Sequence, residues 1–188
     1  MKTRFVILIV AVLAGFPVYG QSTGNAVTDA LLAAYSPRNF SSVPVTDQQI
    51  DLILRCGIKA PSARNTQPWR FTVVREEATL KKLVNNIVPG NILIIISGAE
   101  GSGTGVSVDF DCALATENMF IAASGLGLGA RIIAGPVKAA ADMKDTLHIP
   151  VGFRPVMALR LGNVEKQADG VTGATTRKSI EEIVNYVK

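Results

Sequence analysis

Residues 109–133 read DFDCALATENMFIAASGLGLGARII. From Asp109 to about Leu128 the spacing predicts a helix with no polar side, since Phe110, Ala113, Leu114, Ala115, Met119, Phe120, Ile121, Ala122, Ala123 and Leu126 fall all round it. A surface helix keeps one wet face, whereas a helix apolar on every side is covered on every side. A sheet from the same chain can take one side. For the other, the natural cover in so short a chain is a second copy of itself, so a homodimer through this long helix is expected. Asp109, Asp111 and Glu117 make it a poor membrane span.

The flanking sequence supplies the sheet. Asn91–Ser97 (NILIIIS) is a continuous β-branched run of the kind that is covered on both faces. Arg70–Val74 (RFTVV) and Val156–Gly162 (VMALRLG) are two further strands. Thr46 and Gln49 form a capping box, followed by Ile50, Ile53, Leu54, Gly57 and Ile58 at helical spacing, in a helix that ends before Pro61. Helices are also predicted over Glu76–Asn86, over Pro136–Leu147 with proline in its first turn, and over Arg177–Val187. Helices and strands interleave around a small sheet, which predicts an α+β or α/β layered domain.

The chain has 188 residues, 48% hydrophobic, 18% charged and 6% aromatic, as one globular domain requires. It has one histidine, His148, and two cysteines, Cys56 and Cys112, with no Cys-x-x-Cys pair. That leaves almost nothing from which to build a zinc site or a histidine-based triad, so no metal is expected and the common hydrolases are disfavoured. Both cysteines lie in apolar helical segments and read as buried thiols, with a disulfide as the alternative.

Residues 1–20, MKTRFVILIVAVLAGFPVYG, have the basic start, short apolar run and small-residue end of a secretory signal peptide, with cleavage near Gly20; the alternative is an uncleaved anchor. Residues 21–28 read as a flexible leader and 29–188 as the domain. Removing Lys2 and Arg4 with the leader lowers the net charge from +4 to +2, which leaves no footprint for nucleic acid. A periplasmic or secreted protein is expected.

Four segments hold residues that packing alone does not require: Tyr35–Phe40 (YSPRNF), Ala60–Phe71 (APSARNTQPWRF), Gly125–Pro136 (GLGLGARIIAGP) and Asp169–Lys178 (DGVTGATTRK). Singly they read as a turn, a stiff connection, a helix C-cap and a glycine turn. Together they offer cations, backbone donors and planar amides, a set suited to a ligand with a phosphate at one end and a flat heteroaromatic ring at the other.

These segments, in this order, resemble the FMN-dependent nitroreductase family of flavin oxidoreductases, from Leu31 to Lys188. Pro-Ser-Ala-Arg-Asn-Thr-Gln-Pro-Trp-Arg-Phe is the most specific piece, and Asp111–Asn118 (DCALATEN), the Gly-Leu-Gly exit and the Arg-Lys-Ser-Ile-Glu-Glu-Ile-Val ending agree with it. The resemblance implies an α+β fold with a mostly antiparallel sheet, a dimer, and FMN at the subunit interface. It implies that Ser36 and Arg38 meet the phosphate and ribityl end, and Ser62, Asn65 and Gln67 the ribityl chain and ring edge. Ile133, Ala134 and Gly135 would offer backbone donors near N5, with Arg177 on the phosphate. No catalytic side chain is expected, because the flavin carries the hydride chemistry. The acceptor would be a nitroaromatic, quinone or similar planar molecule.

Departures from the family pattern are visible. Ala34 and Tyr35 stand where many members have a basic residue, Ala134 where many have an acidic one, and the short connections on either side of Asn91–Ser97 leave little room for a helical lid. Asp169–Thr175 resembles the Asp-x-x-Ser/Thr-Gly-Ala-Thr motif at which exported flavin transferases attach FMN to threonine, which would make Thr175 the acceptor. Export also bears on the donor: NAD(P)H is scarce outside the cytoplasm, and a membrane-linked redox partner would replace it. The alternatives are a non-enzymatic flavoprotein that carries electrons, or a fold that has lost its flavin and serves as a binding module.

Overall fold

A computed structural model describes residues 22–101, 107–168 and 177–187. The expected signal peptide and the Thr175 motif lie outside the described residues. In chain order the elements are α1 (Ala26–Ala33), α2 (Asp47–Ile58), β1 (Trp69–Val74), α3 (Glu77–Leu83), β2 (Ile92–Ala99), α4 (Val108–Gly125), β3 (Gly129–Ile133), α5 (Gly135–Asp142), β4 (Phe153–Gly162) and α6 (Ile180–Ile183). The four strands form one sheet in the order β1-β2-β4-β3, antiparallel at every step. The fold is α+β.

The apolar run of β2 is explained by cover on both faces. Ile92, Ile94 and Ile96 join Ile50 and Ile53 of α2 and Cys112, Ala115 and Met119 of α4. Leu93 and Ile95 point the other way, into Leu80 and Leu83 of α3 and Ala140 of α5. Each fully buried side chain of this size contributes about 1.5–3 kcal/mol of transfer free energy. The Thr46 hydroxyl accepts the Gln49 N–H at 3.3 Å, so the predicted capping box starts α2. α2 then crosses α4 at Gly57, where a Cβ would stand 2.7 Å from Met119 Cγ.

α4 is covered on one side only within the chain. Asp111, Cys112, Ala115, Thr116, Met119 and Ala123 are buried against the sheet and α2, whereas Phe110 is 70% and Leu114 42% exposed. An apolar stripe of α4 thus remains open in the single chain, on the side for which a second copy is the expected cover.

Two expectations are corrected and one strand is added. The segment 21–28 is not wholly a leader, because Asn25 caps α1 by accepting the N–H groups of Val27 and Thr28. α4 ends at Gly125, as the C-cap reading of the glycines expects, and Gly129–Ile133, for which no element was expected, is an edge strand paired along β4. The helix expected over Arg177–Val187 is one turn, Ile180–Ile183, because its residues are exposed and no packing offsets the cost of nucleating a short helix. Cys56 and Cys112 are free thiols, the first half-buried and the second buried. No helix among the described residues is long and apolar enough to cross a membrane.

Candidate functional site

The loop before β1 is held by its own polar groups. Ser62 Oγ accepts the Gln67 N–H at 3.0 Å and the Ser62 carbonyl accepts the Asn65 N–H at 3.0 Å. Gln67 Nε2 donates to the Asn65 carbonyl and to Asn65 Oδ1, both at 3.3 Å. Arg64, Asn65 and Gln67 have φ of +52°, +57° and +47°. Left-handed backbone at three non-glycine residues within four positions persists only where surroundings enforce it, and such strain gathers at functional sites. One enforcing contact is visible: buried Asp111, in the first turns of α4, accepts the Ala63 N–H at 3.0 Å. Ser62, Asn65 and Gln67 thus form one preorganised, exposed polar loop.

The turn carrying Ser36 and Arg38 is anchored to the chain that leaves β4. The Asn39 amide donates to the Ala168 carbonyl at 2.9 Å, and Phe40 bridges to Val164. Pro37 and Phe40 are buried while Ser36 and Arg38 are exposed. Phe40 lies across Gly162, where a Cβ would come within 2.8 Å of the ring, and stacks beneath the Arg160 guanidinium at 4.2 Å.

Ile133, Ala134 and Gly135, where β3 passes into α5, line a cleft of about 670 Å³. Its other walls include Lys82, Asn85, Asn86, Arg131 and Arg160, with no acidic residue. Arg160 is 2% exposed; its Nε and Nη2 donate to Asn91 Oδ1 at 2.9 and 2.7 Å. Sequence reasoning assigned none of these five wall residues to the site, although Arg131 lies in the singled-out Gly125–Pro136 segment and a charged residue stands inside the apolar run Val156–Gly162.

The expected site residues fall into separate groups. Ser62, Asn65 and Gln67 precede β1 at one sheet edge, and Ile133–Gly135 follow β3 at the other. Three inter-strand spacings, about 14 Å, lie between those edges. The Ser36–Arg38 turn joins the second group through Phe40 and Arg160. Arg177 is exposed at the start of the last described segment and does not line the cleft. No cluster of three or more His, Cys, Asp or Glu residues that could hold a metal occurs among the described residues.

Comparison with known proteins gives a consistent answer. The model of the nitroreductase family matches residues 31–92 and 91–163, stopping short of the C-terminal segment that the sequence resemblance includes. A protein of Archaeoglobus fulgidus, provisionally named NADH dehydrogenase/NAD(P)H nitroreductase, is 37% identical over 102 residues, covering 50% of this chain and 59% of that protein. The chain thus spans about three fifths of the length of the first curated relatives it matches. Among solved structures, a nitroreductase with bound FMN from Bacteroides fragilis superposes with a TM-score of 0.74 at 22% identity, covering 87% of this chain and all of that one (100%), a likeness of fold. A provisionally named nitroreductase in complex with FMN from Desulfovibrio desulfuricans superposes with a TM-score of 0.73 at 25% identity, covering 87% of this chain and 98% of that one. The fold, the loop before β1 and the family match over most of the chain agree, and the chain belongs to the nitroreductase family.

Proposed function

We propose that this protein is an FMN-dependent oxidoreductase that reduces a nitroaromatic, quinone or similar planar acceptor. The observation that carries this reading is the cleft beside β3. A main-chain segment, two planar amides and three cations without an acidic neighbour line it, which suits a flat ring with a donor–acceptor edge and an anionic character. Its volume of about 670 Å³ falls within the usual range for cofactor pockets, about 300–1,000 Å³. When bound, FMN supplies hydride or electron transfer at N5. The Ile133–Gly135 main chain would face that edge, and Ser36, Arg38 and Arg177 would hold the phosphate end.

Ser62, Asn65 and Gln67 would come from a second copy, because their loop hangs from the opposite sheet edge. The open stripe of Phe110 and Leu114 on α4 supports the same homodimer. The basic, apolar leader supports export with cleavage near Gly20, and the Asp169–Thr175 motif supports covalent attachment of FMN at Thr175. An electron-carrying flavoprotein is the second reading, favoured by the single short helix, α3, between β1 and β2, which leaves little cover for a lid.

Reconstitution with FMN followed by steady-state turnover tests the reading, with NADH, NADPH and a quinol as donors and quinone or nitro compounds as acceptors. Turnover above that of free FMN is expected. Tight FMN binding without such turnover assigns the electron-carrier role, and failure to bind FMN rejects both. Intact mass of protein from its native host, with Thr175→Ala as control, reads leader removal and FMN attachment together.

A further inference from the structure

Arg160 is out of place in β4. Its neighbours Ala158, Leu159 and Leu161 are wholly buried, and Arg160 itself is 2% exposed. Its hydrogen-bond acceptors are the side-chain oxygens of Asn91, at 2.9 and 2.7 Å, and Asn86, at 3.4 Å, and one face of the guanidinium rests on Phe40. All of these partners are neutral. A guanidinium removed from water is ordinarily paired with a carboxylate, since desolvating an ion without a counter-charge is costly.

The sheet register adds a second cost. Arg131 of β3 stands directly opposite Arg160, and like charges facing each other across two strands destabilise a sheet. Burial first, and Arg131 second, draw the Arg160 pKa below the usual guanidinium range. A guanidinium still stays charged at neutral pH. Neither arginine has a carboxylate within ion-pair distance among the described residues. Lys82 adds a third cation to the same cleft. The chain maintains this unfavourable arrangement at a cavity, where a bound molecule can bring the missing negative charge.

The two candidate sources are the phosphate and the ring of a flavin. Ser36, Arg38 and Arg177, the expected phosphate contacts, do not line the cleft, whereas Ile133, Ala134 and Gly135, the expected ring contacts, do. Asn85 and Asn86 beside the arginines offer paired donors and acceptors of the kind a pyrimidine edge requires. We propose that Arg131 and Arg160 are the counter-charge for the pyrimidine edge of reduced FMN and make the protein hold the reduced state more tightly than the oxidised one. This rests on the FMN reading above. Uptake at N5 of two electrons, from dithionite in the test below, and of one proton from solvent leaves one negative charge on that edge, which Arg131 faces with Arg160 behind it in the cleft wall.

Arg131, the more accessible of the two, is the residue to change. The midpoint potential of bound FMN and of bound riboflavin, the affinity for oxidised FMN and the melting temperature of the flavin-free protein are measured for wild type, Arg131→Gln and Arg131→Lys. Arg131→Gln should weaken the preference for the reduced state about tenfold, a potential lower by about 30 mV for this two-electron couple. Riboflavin should show the same drop, and Arg131→Lys should retain most of the wild-type potential. The flavin-free Arg131→Gln protein should melt higher than wild type, because the cross-strand repulsion is gone. Bound FMN with an unmoved potential overturns this proposal alone. So does a loss confined to FMN and absent with riboflavin, which assigns the pair to the phosphate, or a flavin-free variant that melts lower than wild type. A wild-type protein that binds no flavin overturns the functional reading and this one with it.

Discussion

Asp111→Ala tests what keeps the loop before β1 in its left-handed conformation. The Asp111 carboxylate is buried and accepts the Ala63 N–H at 3.0 Å. A hydrogen bond to a charged acceptor is worth about 1.5–3 kcal/mol. A carboxylate in the first turns of a helix adds about 0.3–1 kcal/mol through the helix dipole, so the variant should lose about 2–4 kcal/mol in all. Once untied, the strain at Arg64, Asn65 and Gln67, about 1–3 kcal/mol per residue, favours release of the loop. FMN binding should then weaken at least about tenfold, the equivalent of about 1.4 kcal/mol. Urea unfolding is the assay, followed by fluorescence of Trp69, the single tryptophan, which begins β1 two residues after Gln67. Asp111→Asn keeps an acceptor in place and should cost about 1 kcal/mol. Stability of Asp111→Ala within about 0.5 kcal/mol of wild type, with unchanged FMN affinity, would refute the reasoning.

Gly57→Ala should destabilise by about 1 kcal/mol or more in thermal unfolding, although alanine favours helix, because the new methyl would meet fully buried Met119 at 2.7 Å. Phe110→Asp with Leu114→Asp should leave the fold intact and give a monomer in sedimentation, since both side chains are exposed; an unchanged dimer counts against α4 as the interface. Burial pushes the Cys112 thiol up from 9.0 to about 12. The folded state therefore holds that proton more tightly than the unfolded state does, and stability should fall as pH rises from about 9 towards about 12. Comparing wild type with Cys112→Ala by urea unfolding at several alkaline pH values isolates this loss.

The layered fold was legible where periodicity was strong. The run Asn91–Ser97 announced a strand covered on both faces, and the Thr46–Gln49 box announced the start of α2. β3 escaped notice because five residues after a glycine-rich helix exit carry too little pattern, and because its strand character comes from pairing with β4. The loop residues Ser62, Asn65 and Gln67 stood out by composition, and their mutual hydrogen bonds give that composition a shape. The pairing of Arg131 with Arg160 did not stand out, since it is a matter of register: 29 positions apart in sequence, they meet only when β3 and β4 pair. Asn85 and Asn86 follow α3 and become wall residues only once α3 and α5 pack on the same face of the sheet.

The placement of the loop residues and the Ile133–Gly135 segment on opposite edges of the sheet has a genetic consequence. In the proposed dimer each flavin site takes one group from each chain. A chain damaged at Ser62, Asn65 and Gln67 and a chain damaged along Ile133–Gly135 would each be defective alone. Mixed in one dimer, they would place both lesions in one site and leave the other site wild type. Co-expression of the two defective alleles should therefore restore flavin binding to about half of the sites in the heterodimer, a complementation that a site built within one chain could not show.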